Sequence, residues 1–316
     1  MASPIPTLHS SIANSKGTAP AWLPFVVLGA AVLIVSSAAI MIRLAQAEGI
    51  SSLSIAAWRL TLAAAVLWPL VWRRNQAEIQ ALSSRDWLFG GISGIFLALH
   101  FASWISSLAY TSVASSLALV STNPVWIALV SWLVFREKLS AWLIVGIAAA
   151  AGGSALIFHS DSQLAATPAT SNAMLGNTLA VIGSMTVCGY LLIGRKSRKT
   201  VSLIPYIWLV YSAAAFVLMA MALIAGASLT GYSAVGWLCL LALALGPQLL
   251  GHSAFNWALK HVSATFIAIA ILGEPVGSAL LAWMFFGEAF APLQLTGFCL
   301  LLAGIYLASR SERRDA

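Results

Sequence analysis

Few side chains in this 316-residue sequence can do chemistry, and their apolar surroundings single them out. Glu274 stands about midway along an apolar stretch and is followed at once by Pro275. An ionisable group near a bilayer centre costs at least about 2.5 to 3.5 kcal/mol, so it faces a cavity or a partner. Pro275 lacks a backbone donor and frees a carbonyl upstream. Glu274 therefore reads either as a ligand-binding or proton-carrying group, or as a structural acid that bonds loosened backbone or pairs with Arg59. Asn123-Pro124 repeats the pattern in a second apolar stretch. Two such breaks facing one another offer free backbone groups to the polar ends of a ligand; the plain alternative is a pair of kinks that help helices pack.

His100 and Trp104 lie four residues apart, as do His252 and Asn256, and residues i and i+4 share one face of a helix. Either pair can line a cavity or serve as hydrogen-bonded packing. No carboxylate or cysteine stands at a zinc-ligand spacing from either histidine. Cys188, Cys239 and Cys299 are far apart, without a CxxC, and read as small core residues. Neither a metal nor a cofactor is expected.

The elements that position these residues must lie in lipid. The chain is 60% hydrophobic and only 8% charged, and its mean hydropathy is +0.93, whereas a soluble domain carries about 25% charged residues. Sixteen basic and nine acidic residues cannot cover a soluble surface of this size. The uncharged runs 87–135 and 200–259 each exceed twice the roughly 20 residues of a spanning helix. Apolar stretches bounded by charges, Pro, Gly or Ser clusters predict ten spans, at 22–44, 52–72, 87–107, 113–135, 140–158, 174–194, 203–225, 234–254, 264–286 and 292–309. The apolar run from Trp22 is too long for the core of a cleavable signal peptide, so it is expected to be a retained first span.

Fourteen of the sixteen basic residues, from Lys16 to Arg314, fall on one side of this arrangement. The positive-inside rule then places both termini in the cytoplasm. Only Arg43 and Arg59 lie at or inside spans. The net charge of +7 is a topology signal and a contact for anionic lipid, and nothing resembles a nucleic-acid module. Trp22, Trp72, Trp87, Trp142 and Trp237 fall near predicted span ends as interfacial anchors, while Trp58, Trp104, Tyr190, Trp208 and Tyr211 lie deeper.

Shifting the sequence on itself by 151 residues brings twelve identities into register over 49 positions. Among them Pro124, Trp132, Phe135 and Glu137 meet Pro275, Trp283, Phe286 and Glu288. Scarce residue types matching in one register mark a duplication. With five spans per copy, the second copy enters the membrane upside down, which is the architecture of secondary transporters with a midplane site exposed alternately to each side. The expected division is a cytoplasmic tail (1–21), repeat 1 (22–158), an external linker (159–173), repeat 2 (174–309) and a cytoplasmic tail (310–316).

These features together resemble the EamA-type members of the drug/metabolite transporter superfamily. The resemblance is carried by Ile42-Arg43-Leu44 at the end of span 1 and Trp58-Arg59 in span 2. It extends to the segment from Asn123-Pro124-Val125 to Phe135-Arg136-Glu137 and its counterpart from Glu274-Pro275-Val276 to Phe286-Gly287-Glu288, with glycines in spans 5 and 10. It implies an all-α integral membrane fold of ten helices in two inverted five-helix repeats. The implied activity is export of small metabolites across a bacterial inner membrane by alternating access. Among the branches it looks most like exporters of amino acids, including the YddG-type exporters of aromatic ones.

On this reading His100, Trp104, Asn123, Tyr211, His252, Asn256 and Glu274 bind substrate. Pro124 and Pro275 break or gate helices, and Arg59 is a charge partner. The expected partners are an amino acid or similar metabolite, protons as a coupling ion and the bilayer, for a monomer or weak homo-oligomer. Drugs, other metabolites and nucleotide sugars are alternatives within the superfamily, although a phosphate needs several Lys or Arg in the cavity. No GxxxxGK[ST] is present to use ATP. An intramembrane enzyme would need a HExxH pair or a nucleophile with a base, and these residues do not assemble one.

Overall fold

The structure, a computed structural model, describes residues 20, 22–111, 113–136, 138–164, 172–286 and 292–315. Lys16, Glu137, Glu288 and the tail residue Ala316 lie outside the described residues, as do 1–19 of the N-terminal tail and 165–171 of the linker. All regular elements among the described residues are helical. The first half runs α1 (Leu23–Ser36), α2 (Ala38–Ala47), α3 (Ser52–Arg74), the short α4 (Gln76–Ala81), α5 (Ser84–Ser107), α6 (Val113–Val120), α7 (Asn123–Phe135) and α8 (Ala141–Leu164). The second runs α9 (Ala173–Ser197), α10 (Leu203–Ile224), α11 (Ala234–Leu243), a π-helical segment (Ala244–His252), α12 (Ser253–Ala258), α13 (Ala264–Ile271), α14 (Glu274–Phe286) and α15 (Pro292–Asp315).

Each predicted interval falls on one helix or on a set of abutting ones. Six segments are long and apolar enough to cross a bilayer: Leu23–Ala47, Ser52–Arg74, Ser84–Ser107, Met174–Ser197, Leu203–Ile224 and Ala234–Ala258. Shorter apolar helices cover Asn123–Val134, Ala141–Leu156, Ala264–Ser278 and Leu295–Leu307. Two helices run beyond the predicted spans. Helix α8 continues to Leu164, into the expected linker, and α15 continues to Asp315, through nearly all of the expected C-terminal tail. Both extensions are polar, and a formed helix carries its hydrogen-bond ladder past the end of its apolar stretch because each added residue contributes one more bond.

The ends are set locally. Ser51, Ser83, Ser233 and Ser263 accept a bond from the backbone of the following turn and so start α3, α5, α11 and α13. Asp86 completes a capping box with Ser83. Pro124 sits in the first turn of α7, and Pro275 likewise follows the first residue of α14. A proline there has no helical partner to lose, so both prolines begin a half-helix rather than kink a continuous one.

Packing pairs α5 with α9, α3 with α10, and α8 with α15. Small residues allow the closest approaches. A Cβ on Gly304 would lie 2.6 Å from the Gly146 carbonyl oxygen, and one on Gly94 would lie 2.8 Å from that of Val210. The outward faces are apolar, with Phe216, Leu223, Val134 and Met284 well exposed, as a lipid-facing surface requires. Trp22, Trp72, Trp87 and Trp142 are exposed as anchors would be, but Trp237 turns inward against Trp58, 5.0 Å between ring centroids. Cys188 and Cys239 are buried, whereas Cys299 is exposed and is not a core residue.

Candidate functional site

Two helix breaks, one from each half, frame the interior. Between α13 and α14 the chain turns at Leu272 and Gly273, and α1 lies against that turn. Ser36 Oγ donates to the Glu274 carbonyl at 3.2 Å, and Ser278 Oγ donates back to the Ser36 carbonyl at 2.8 Å. Between α6 and α7 the chain turns at Ser121 and Thr122, and α9 lies there. Cys188 Sγ meets the Asn123 carbonyl at 3.5 Å, while Thr122 Oγ1 and Ser184 Oγ are 3.0 Å apart. The first helix of each repeat thus clasps the broken helix of the other, and the contacted carbonyls belong to Glu274 and Asn123, which are mates at the 151-residue offset. The carbonyl just before each proline is thus met by a hydroxyl or thiol donor from the opposite half.

Between the breaks lies a small cavity of about 30 Å³, lined by Val35, His100, Trp104, Val120, Ser121, Asn123, Val187, His252, Phe255, Ile271 and Glu274. A metabolite needs more room than that, so substrate would enter only with the two halves further apart. Five of the seven predicted binding residues meet there: His100, Trp104, Asn123, His252 and Glu274. Four of them bring a buried polar atom without a hydrogen-bond partner among the described residues, namely Trp104 Nε1, Asn123 Oδ1, His252 Nδ1 and Glu274 Oε1. Buried polar atoms are normally paired, so a set converging on one cavity marks a place for a ligand's own polar groups. His100 is oriented by a 2.9 Å bond between Nδ1 and the Gly183 carbonyl. Its ring stacks on Trp104 at 5.9 Å and 10°, giving the wall a flat aromatic face.

Tyr211 and Asn256 do not line the cavity; both make interior links, with Asn256 Oδ1 left without a partner among the described residues. Tyr211 OH lies 3.2 Å from Ser253 Oγ and 3.4 Å from the Gln248 carbonyl, tying α10 to the π-helical segment. Asn256 Nδ2 donates to Tyr190 OH and, at 2.8 Å, to the His252 carbonyl. The Asn256 carbonyl accepts from Arg198 Nε at 3.1 Å. Of the five deeper aromatic residues only Trp104 reaches the cavity; Trp58 Nε1, for instance, is bonded to the Leu229 carbonyl at 2.9 Å.

Arg59 is wholly buried. Its Nε donates to Gln248 Oε1 at 2.9 Å, and its guanidinium carbon lies 4.2 Å from the Phe101 ring centroid. It makes no direct ion pair with Glu274 among the described residues, although the two interact electrostatically. Arg43 lies elsewhere, with Nη2 bonded to the Thr111 carbonyl at 3.0 Å. Sequence reasoning missed Gln248, the direct partner of Arg59. Its signal was present in Gly246-Pro247-Gln248, a helix-breaking proline beside an amide inside a long uncharged run.

The family comparison says what kind of protein holds this cavity. The model of the EamA-like transporter family matches residues 22–159 and again residues 174–310. The chain belongs to the EamA-like transporter family. It is therefore a multi-pass membrane protein and a transporter of the drug/metabolite transporter superfamily. The two EamA matches begin 152 residues apart, close to the 151-residue offset of the internal repeat. A crystal structure with 18% identity shares the fold at a TM-score of 0.74, covering 92% of this chain and 98% of its own. No match was found among curated proteins. For an EamA-like transporter, the cavity between the two clasped half-helices is the candidate substrate site. Its lining holds one carboxylate and no Lys or Arg.

Proposed function

We propose that this protein exports neutral amino acids, aromatic ones foremost as in the YddG-type branch, across a bacterial inner membrane. It does so through ten spans with both termini in the cytoplasm. The observation that carries this reading is the central cavity, mostly apolar, lined by both helix breaks and by one carboxylate among unpaired polar atoms. A zwitterion with an apolar side chain matches such a lining. A nucleotide sugar does not, because phosphate needs converging cations. Rocking of the two repeats about this cavity gives alternating access.

The test is counterflow of a labelled amino-acid panel in liposomes carrying the purified protein. Exchange of neutral amino acids is expected, strongest for aromatic ones; exchange of sugars or drugs alone would sink the reading. A zwitterion moving by itself carries no net charge, whereas each coupled proton gains or loses about 2.3 kcal/mol per 100 mV. Export is expected to respond to an imposed proton gradient through Glu274 or a histidine. Unchanged transport in a pH gradient by Glu274→Gln, His100→Ala and His252→Ala would rule that coupling out.

A further inference from the structure

We propose that Glu274 is the ammonium-binding residue of the central cavity and that buried Arg59 supplies the positive field for a carboxylate, so that the cavity selects a zwitterion with an aromatic tail. The proposal rests on reading the cavity as the transport site. Glu274 is 7% exposed, lines the cavity, and has an Oε1 without a partner among the described residues. A buried carboxylate lacking a hydrogen-bonded cation is costly, and a primary ammonium brings three donors to it.

Arg59 stands one side chain behind the wall. Its guanidinium covers Phe101, and Phe101 meets His252 at 5.2 Å between ring centroids, with His252 facing the cavity. Arg59 Nη1 and Nη2 have no partner among the described residues. When Glu274 is ionised, its charge and that of Arg59 impose a field on the cavity that aligns a zwitterion and penalises a lone amine or a lone acid. Trp104 Nε1 and His252 Nδ1, both unpaired, are the donors available to the carboxylate. The stacked His100 and Trp104 rings receive the tail.

The experiment is calorimetric binding of phenylalanine, phenethylamine and 3-phenylpropionate to the purified full-length protein. Wild type is expected to bind phenylalanine about tenfold or more tightly than either single-ended analogue, the size of one charge-assisted bond. Glu274→Gln should weaken phenylalanine and phenethylamine by about tenfold and leave 3-phenylpropionate equal or tighter. Glu274→Asp should restore part of the preference for amines. Equal weakening of the amine and the acid by Glu274→Gln, unchanged amine binding, or no binding of any probe by wild type would each overturn the proposal. If Glu274→Gln does not fold, the ranking of the three probes on wild type decides. Amino-acid counterflow together with Glu274-independent binding defeats this inference alone. Zwitterion-selective, Glu274-dependent binding without amino-acid transport defeats only the proposed function.

Discussion

Arg59 shows how a lone charge is kept inside an apolar bundle. Its cost is offset by the Gln248 amide on one side and the Phe101 ring on the other, rather than by a carboxylate in contact. Gln248→Leu removes the acceptor of Arg59 Nε and leaves that donor buried, so a loss of about 1 to 3 kcal/mol is expected. It is read as a lower melting temperature in detergent, and an unchanged melting temperature would show that Arg59 finds another acceptor. At this scale the sequence was a partial guide. Glu274, Asn123, His100, Trp104 and His252 were legible because polar groups in apolar runs are scarce. Tyr211 and Asn256 looked equally suited, yet their hydrogen bonds go to Ser253 and to Tyr190. Depth along a span can be read from sequence, but the direction a side chain takes within the bundle depends on which helices become its neighbours.

Among the helices, the breaks at Asn123 and Glu274 were foreseeable, because proline can begin a helix but cannot sit in the middle of one without cost. The clasp that closes each break was not, since Ser36 and Cys188 are ordinary small residues until α1 and α9 are set against the opposite half. The contact of α8 with α15 rests on a similar economy of size. Gly304→Val places a branched side chain where a Cβ alone would be 2.6 Å from the Gly146 carbonyl oxygen. Overpacking of this kind costs about 1 to 3 kcal/mol. The variant is expected to melt earlier and to transport less, whereas Gly91→Val, at a position where a Cβ meets nothing within 4 Å, should melt as wild type does. Equal melting temperatures for both variants would mean that the two helices can part without loss.

For the whole molecule, two EamA-like matches of nearly equal length and the 151-residue offset describe the same duplication. Five spans in each copy, as the sequence predicts, would put both ends of the chain on the side that carries the basic residues. Reporters fused to each terminus, one active only in the cytoplasm and one only outside it, should both report cytoplasm; opposite readings would demand an odd number of crossings. Composition made the membrane setting plain from the start, and the charge pattern predicts the orientation that these reporters test. The winding of the eighth predicted span was hidden. A hydropathy profile of Ala234–Ala258 is smooth, while the backbone inserts nine π-helical residues around Pro247. An α-helix advances about 100° per residue, and a π turn takes up one residue more. Gln248, which steadies Arg59, and His252, which faces the cavity, both lie in this widened segment, so its winding sets the angle between the two side chains.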